Sequence, residues 1–209
     1  MDAPSPPTSV IRYVALGDSY TIGTSVAPAD RWPDRLVATL GGHGMQLELV
    51  ANLGVNGATS DDVVAGQIPL LDDLAPDFVT VLIGVNDVVR GVPEARYRAN
   101  LEVILDHLLG RLQVDHVVTI TTPDYTVTPA GADYGEPASQ RAGIVRNNDL
   151  LSELSAARGI ALVDIFDLSR RAATDRSLVA SDGLHPSGTQ YALWVARIAP
   201  VVGGLLDRR

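Results

Sequence analysis

Five short apolar runs recur along this chain of 209 residues, and small or polar residues follow each one. They are Ile11–Leu16, Gln46–Ala51, Phe78–Ile83, His116–Thr121 and Ile160–Asp164. Each is rich in Val, Ile and Leu with little alternation, the pattern of strands buried on both faces. Longer segments of helical period lie between them: Arg31–Leu40, Ser60–Leu74, Glu94–Leu112 and Gln140–Arg158, with a last one from about Gly188 to Leu206. Strand–helix alternation with short links predicts an open parallel sheet with helices on both faces, a three-layer α/β/α architecture.

Boundary residues sharpen this reading. Asp30 is placed to cap the first long helix, with Pro33 in its first turn and Gly41-Gly42 at its end. Ser187-Gly188-Thr189-Gln190 fits a capping box for the last helix. Pro200 predicts a kink or an early stop there. The Pro-rich start, residues 1–9, lacks the basic and apolar run of a signal peptide and is expected to be a flexible lead-in. Residues 10–209 are expected to form one domain.

Composition excludes several functions. Acidic side chains number 25 against 16 basic, a net charge of −9. Such a surface repels phosphate backbones and anionic lipid, so neither nucleic acid nor a membrane surface is an expected partner. No apolar stretch approaches the roughly 20 residues of a membrane span, so stable insertion is not expected. The chain has no cysteine, which removes thiol catalysis, disulfides and thiolate metal sites. A cytoplasmic location is the default expectation, and oligomeric state is left open.

In an open parallel sheet, ligands bind beyond the carboxyl ends of the strands. Gly17-Asp18-Ser19-Tyr20 follows the first run, Asn52–Thr59 the second, and Gly84-Val85-Asn86-Asp87 the third. Thr122–Pro137 follows the fourth, and Asp182-Gly183-Leu184-His185-Pro186 precedes the last helix. Small, polar and titratable residues therefore gather at one edge. Ser19 sits just past a buried strand, where its hydroxyl is held at that edge. A serine hydroxyl needs a base to take its proton near neutral pH. Of the four histidines, His43 lies in a Gly-rich link, His107 sits among leucines in a helix, and His116 starts a strand at the opposite edge. His185 alone is on the right edge, and Asp182 three residues earlier can accept from its Nδ1–H. Nε2 then faces Ser19 as general base and later general acid. Backbone N–H groups of Ser19 and Gly57, with the Asn86 amide, are suited to hold an oxyanion. Each motif is weak by itself; the argument rests on four of them in order, each at the end of its own strand.

These four blocks resemble those of the SGNH hydrolases, the GDSL esterase/lipase family, over nearly the whole chain from Val10 to about Leu206. Gly17-Asp18-Ser19-Tyr20 matches the first block, with Tyr20 where many members carry Leu. Gly57, followed by Thr59 in a Gly-x-Thr pattern, matches the second better than Gly54 does. Asn86 matches the third, and Asp182 with His185 the last. The resemblance implies a flavodoxin-like strand order 2-1-3-4-5. It implies a Ser19–His185–Asp182 triad, an oxyanion hole of Ser19, Gly57 and Asn86, and no metal or organic cofactor. Expected substrates are small-molecule carboxylic esters or thioesters of short- to medium-chain acyl groups. Lysophospholipase-like, thioesterase-like or sugar-deacetylating activity fits the same chemistry. Acyl transfer to a carbohydrate or other alcohol is a second enzymatic reading. A non-catalytic flavodoxin-like binding module is a third, set against a complete triad. The Gly-x-Ser-x-Gly elbow of α/β-hydrolases is absent, since Thr21 occupies the second glycine's place.

Other residues have plainer readings. Asp18 and Asp87 are expected to hold their turns by hydrogen bonds, Trp32 to pack against the first helix, and Arg170-Arg171 to be a solvated pair. Tyr20 is placed to pack or to touch substrate. The Thr122–Pro137 loop is long for a strand–helix link, and loops of that length are usually functional or disordered. With Tyr125 and Tyr134 in it, the loop is expected to wall the acyl or alcohol pocket.

Overall fold

The computed structural model describes residues 10–207; the Pro-rich lead-in lies outside the described residues. Strands β1 Ile11–Gly17, β2 Leu47–Asn52, β3 Phe78–Leu82, β4 Val117–Ile120 and β5 Ala161–Val163 form the sheet. Their order is β2-β1-β3-β4-β5 with every pair parallel, as the flavodoxin-like reading expects. The order reverses beside β1, so the turn carrying Ser19 leaves the sheet at the crevice where such folds bind ligands.

Alternate residues of the strands feed two cores. Tyr13, Ala15, Phe78, Leu82 and Val118 pack under the helices Trp32–Gly42 and Gly188–Leu206. Val14, Leu16, Val79, Val81 and Val117 pack under Glu94–Leu109 and the C-terminal part of Pro137–Ala157. Trp32 and Trp194 are wholly buried in the first core, and a large apolar side chain fully removed from water stabilises the fold by about 1.5–3 kcal/mol. Trp32 therefore packs, as expected, and does not line the site.

Some local expectations fail. Ser60–Leu74 is not one helix. It divides into a helical turn Ser60–Asp62, a π-turn Val63–Gln67, a 3-10 turn Ile68–Leu70 and a last turn Leu71–Leu74. Pro69 has no N–H to continue an α-helical ladder. Asp30 does not cap the first long helix: Arg31 occupies that position, and the Asp30 carboxylate pairs with Arg35 instead. The last helix runs through Pro200 to Leu206 without an early stop. Its capping box is only half formed. The Ser187 hydroxyl accepts from the Gln190 amide at 3.3 Å, while the Gln190 side chain lies 3.5 Å from the Ser169 carbonyl. Among the described residues, no helix is long and apolar enough to cross a membrane.

Candidate active site

Ser19 opens a single helical turn, Ser19–Ile22, directly after β1. Asp18 caps that turn, its Oδ1 accepting from the Tyr20 amide at 2.9 Å. Gly17 is required by crowding: a Cβ there would lie 2.4 Å from the Leu82 carbonyl oxygen. The buried Gln67 side chain clamps this glycine from the π-turn. Gln67 Oε1 accepts from the Gly17 amide at 2.9 Å, and Gln67 Nε2 donates to the Gly17 carbonyl at 2.7 Å. A side-chain amide thus supplies both bonds that a neighbouring strand would supply, fixing the turn just ahead of Ser19. Nothing in the periodicity of Ser60–Leu74 signals this contact.

Asp18 is fully buried, and its Oδ2 has no hydrogen-bond partner among the described residues. Burial pushes the carboxyl up to about 7, against the opposing Tyr20 amide and reinforced by the Asp87 charge. A carboxyl whose folded pKa exceeds its unfolded value costs stability as pH rises between the two, from about 4 to about 7. Asp18→Asn should therefore gain stability relative to the parent across that window and hold the gain above it. Thermal unfolding of both proteins from pH 4 to 8 checks this; parallel curves would remove the claim.

The other loops close on the same edge. The Asp87 carboxylate accepts from the Ser60 amide at 3.0 Å and from the Ser60 hydroxyl at 2.5 Å. Asp87 therefore ties the loop after β3 to the one after β2, a longer reach than the expected local turn. Asn86 Nδ2 donates to the Ala58 carbonyl at 2.9 Å, leaving its second N–H available. Gly57, beside Ala58, has φ +77°, a conformation that strains residues with a Cβ.

Asp182 and His185 share a bent segment before the last helix. Asp182 Oδ2 accepts from His185 Nδ1 at 2.6 Å. Asp182 Oδ1 accepts from the backbone amides of Leu184 and His185 at 2.9 and 3.0 Å. A fourth donor was not foreseen: the Ser25 hydroxyl, 2.6 Å from Oδ2. Ser25 holds a left-handed backbone with φ +67°, and no sequence pattern marks that. Burial raises the Asp182 pKa, but these donors outweigh it and bring the carboxyl down to about 2. The segment stays ionised near neutral pH and faces its imidazole.

Ser19, Asn86 and His185 line one cavity of about 30 Å³, walled by Tyr20, Val85, Tyr125, Tyr134 and Leu184. No hydrogen bond joins Ser19 Oγ to His185, although both line the same cavity; a catalytic base and its nucleophile often reach bonding distance only around substrate. The Tyr20 ring packs on the imidazole with centroids 5.5 Å apart. Its carbonyl accepts from the Tyr191 hydroxyl of the last helix at 3.0 Å. Tyr20 thus both packs and borders the cavity. A larger cleft of about 610 Å³ opens beside Gly57, lined among others by Leu53, Val55, Leu70 and Arg90.

The Thr122–Pro137 loop is anchored through its buried first part, Thr122 to Thr126, while Ala132 to Glu136 are exposed. Buried Asp124 accepts from the Thr126 amide and hydroxyl and pairs with Arg141 at 2.8 Å. Arg170 stands 3.7 Å from the same carboxylate, so it is not simply solvated. The Ala130 amide donates to the Gly183 carbonyl at 2.9 Å, joining this loop to the Asp182–His185 segment.

Residues 15–193 match the GDSL-like lipase/acylhydrolase family model. The chain belongs to that family. As a member of it, the protein is a carboxylic ester hydrolase, and the binding-module reading is set aside. A curated arylesterase from Vibrio mimicus is 26% identical over 185 residues, covering 88% of this chain and 84% of the relative. Two solved structures share the fold at 18% identity. An acetylxylan esterase from Geobacillus stearothermophilus aligns over 92% of this chain and 94% of its own, with TM-score 0.73. The psychrotrophic esterase EstA from a Pseudoalteromonas species aligns over 94% and 99%, with TM-score 0.71.

Proposed function

We propose that this GDSL hydrolase is a serine esterase for short acyl groups, acting through Ser19, His185 and Asp182. Ser19 Oγ attacks the ester carbonyl while His185 Nε2 takes the hydroxyl proton. Asp182 holds Nδ1–H and stabilises the imidazolium that results. The carbonyl oxygen, now carrying negative charge, accepts from the N–H groups of Ser19 and Gly57 and from the Asn86 amide. The ester C–O bond breaks as His185 returns the proton to the leaving alcohol. Water then attacks the acyl-enzyme with His185 again as base, freeing the carboxylic acid and Ser19.

The observation that carries this reading is the cavity shared by Ser19, Asn86 and His185. Its volume of about 30 Å³ has room for roughly two waters, which suits an acetyl group and not a long chain. The cleft of about 610 Å³ beside Gly57 lies in the usual range for ligand pockets and is assigned to the alcohol. The arylesterase and acetylxylan esterase names of the relatives fit a small acyl group on a bulky alcohol.

A hydrolysis series of p-nitrophenyl esters from acetyl to palmitoyl tests this. Turnover should be highest at acetyl to butanoyl and fall steeply beyond; a maximum at octanoyl or longer would refute the short-acyl assignment. Asn86→Ala should lower kcat by about 10²–10³-fold, the usual loss for one oxyanion donor, with little change in KM. A change confined to KM would remove Asn86 from that role.

A further inference from the structure

Two tyrosines of the Thr122–Pro137 loop border the cavity, and they are held very differently. Tyr125 is 3% exposed, and its hydroxyl donates to Gln140 Oε1 at 2.8 Å. Tyr134 is 44% exposed, at the end of the 3-10 turn Gly131–Tyr134. Its ring meets Tyr125 edge-on, centroids 5.9 Å apart and planes at 77°. One aromatic wall is pinned from behind by the helix Pro137–Ala157, and the other stands against solvent with its neighbour's ring as support.

We propose that Tyr134 sets the acyl chain length accepted at Ser19, its ring closing the solvent side of the cavity. This rests on the esterase reading above and adds to it the residue that limits the acyl group. Two of the other walls are held from behind. Val85 is buried in the same helical turn as Asn86, and Tyr20 is clasped between His185 and Trp194. The half-exposed Tyr134 ring is the most solvent-exposed apolar part of the lining, and a longer chain extends past it. Removing that ring opens an apolar path bounded by Tyr125, Val89 and Leu184. Hydrophobic pockets discriminate by about 10- to 200-fold per methylene at best, so a blocked path is enough to produce a sharp cut-off.

The test compares kcat/KM for p-nitrophenyl octanoate and p-nitrophenyl acetate in three proteins. In Tyr134→Ala the octanoate-to-acetate ratio should rise at least about tenfold over the parent. In Tyr134→Phe, which keeps the ring, the ratio should stay within about twofold. Tyr134→Ser repeats the opening with a polar side chain should the alanine variant fold poorly, and melting curves report folding. An unchanged ratio in folded Tyr134→Ala or Tyr134→Ser overturns the proposal, as does an equal rise in Tyr134→Phe. A parent protein inactive on every ester of the series would instead refute the esterase reading, so the two failures are told apart.

Discussion

Ser19→Ala is expected to abolish ester turnover while leaving the protein folded. The hydroxyl oxygen is the atom that becomes acylated in the proposed route, and no other side chain in the cavity can replace it. In serine hydrolases, loss of the nucleophile costs about 10⁶-fold in kcat. The fold should not register the change. Among the described residues Ser19 Oγ makes no hydrogen bond, and Asp18, Gln67 and Gly17 hold the turn through other atoms. Ser19 is buried, but the change removes a single oxygen with no hydrogen-bond partner among the described residues, so the melting temperature should shift by only a few degrees. A phosphonate probe should add its mass at Ser19 in the parent and nowhere in the variant. Full activity in Ser19→Ala would be incompatible with the mechanism.

Asp182→Asn carries the second largest expected loss, about 10⁴-fold in kcat by analogy with the aspartate of other serine hydrolase triads. Four donors converge on this carboxylate. In the asparagine variant, the carbonyl oxygen is best used by the two backbone amides of Leu184 and His185. The amide nitrogen then faces His185 Nδ1, which must be unprotonated to accept from it. The ring proton moves to Nε2, the position from which the base must act. Stability should change as well, with a definite sign. The Asp182 carboxyl lies at about 2 in the folded chain, below its usual range near 4, so the stability it contributes is present above pH 4 and is lost as pH falls toward 2. The gap in melting temperature between parent and Asp182→Asn should therefore narrow over that interval. A gap that widened on acidification would contradict the description of this carboxylate.

What the sequence revealed of the fold and what it hid divide along a physical line. The central strands β1, β3 and β4 are legible because each is a short run buried on nearly every residue, and burial writes itself into consecutive positions. The edge strands β2 and β5 are only partly buried and are read from their Val and Leu content. β1 and β3 begin at the expected residues, and the last helix spans Gly188–Leu206 as read. The edge location of Ser19, Asn86 and His185 is legible too, since strand ends are fixed once strands are. Ser60–Leu74 departs from the single helix its period predicts, because an apolar period cannot tell an α-turn from a π-turn with the same face inward. Gln67 and Ser25 were invisible for another reason. Each acts through one contact to a residue distant in sequence, Gly17 and Asp182, and no local pattern encodes such a contact. Asp30 was misassigned because a carboxylate near a helix start can serve either the backbone or a neighbouring guanidinium, here Arg35.

The tether from Tyr191 to the Tyr20 carbonyl bears on how the chain matures. Ser19 lies far ahead of His185 in the sequence, and a domain generally folds as a unit. Loops this long close slowly compared with local helices. A nascent chain released before Asp182 would carry the hydroxyl without its base or the helix that braces it, and be inert toward esters. Hydrolytic competence would then appear only with the final docking of the last helix, and its onset during refolding would time that event.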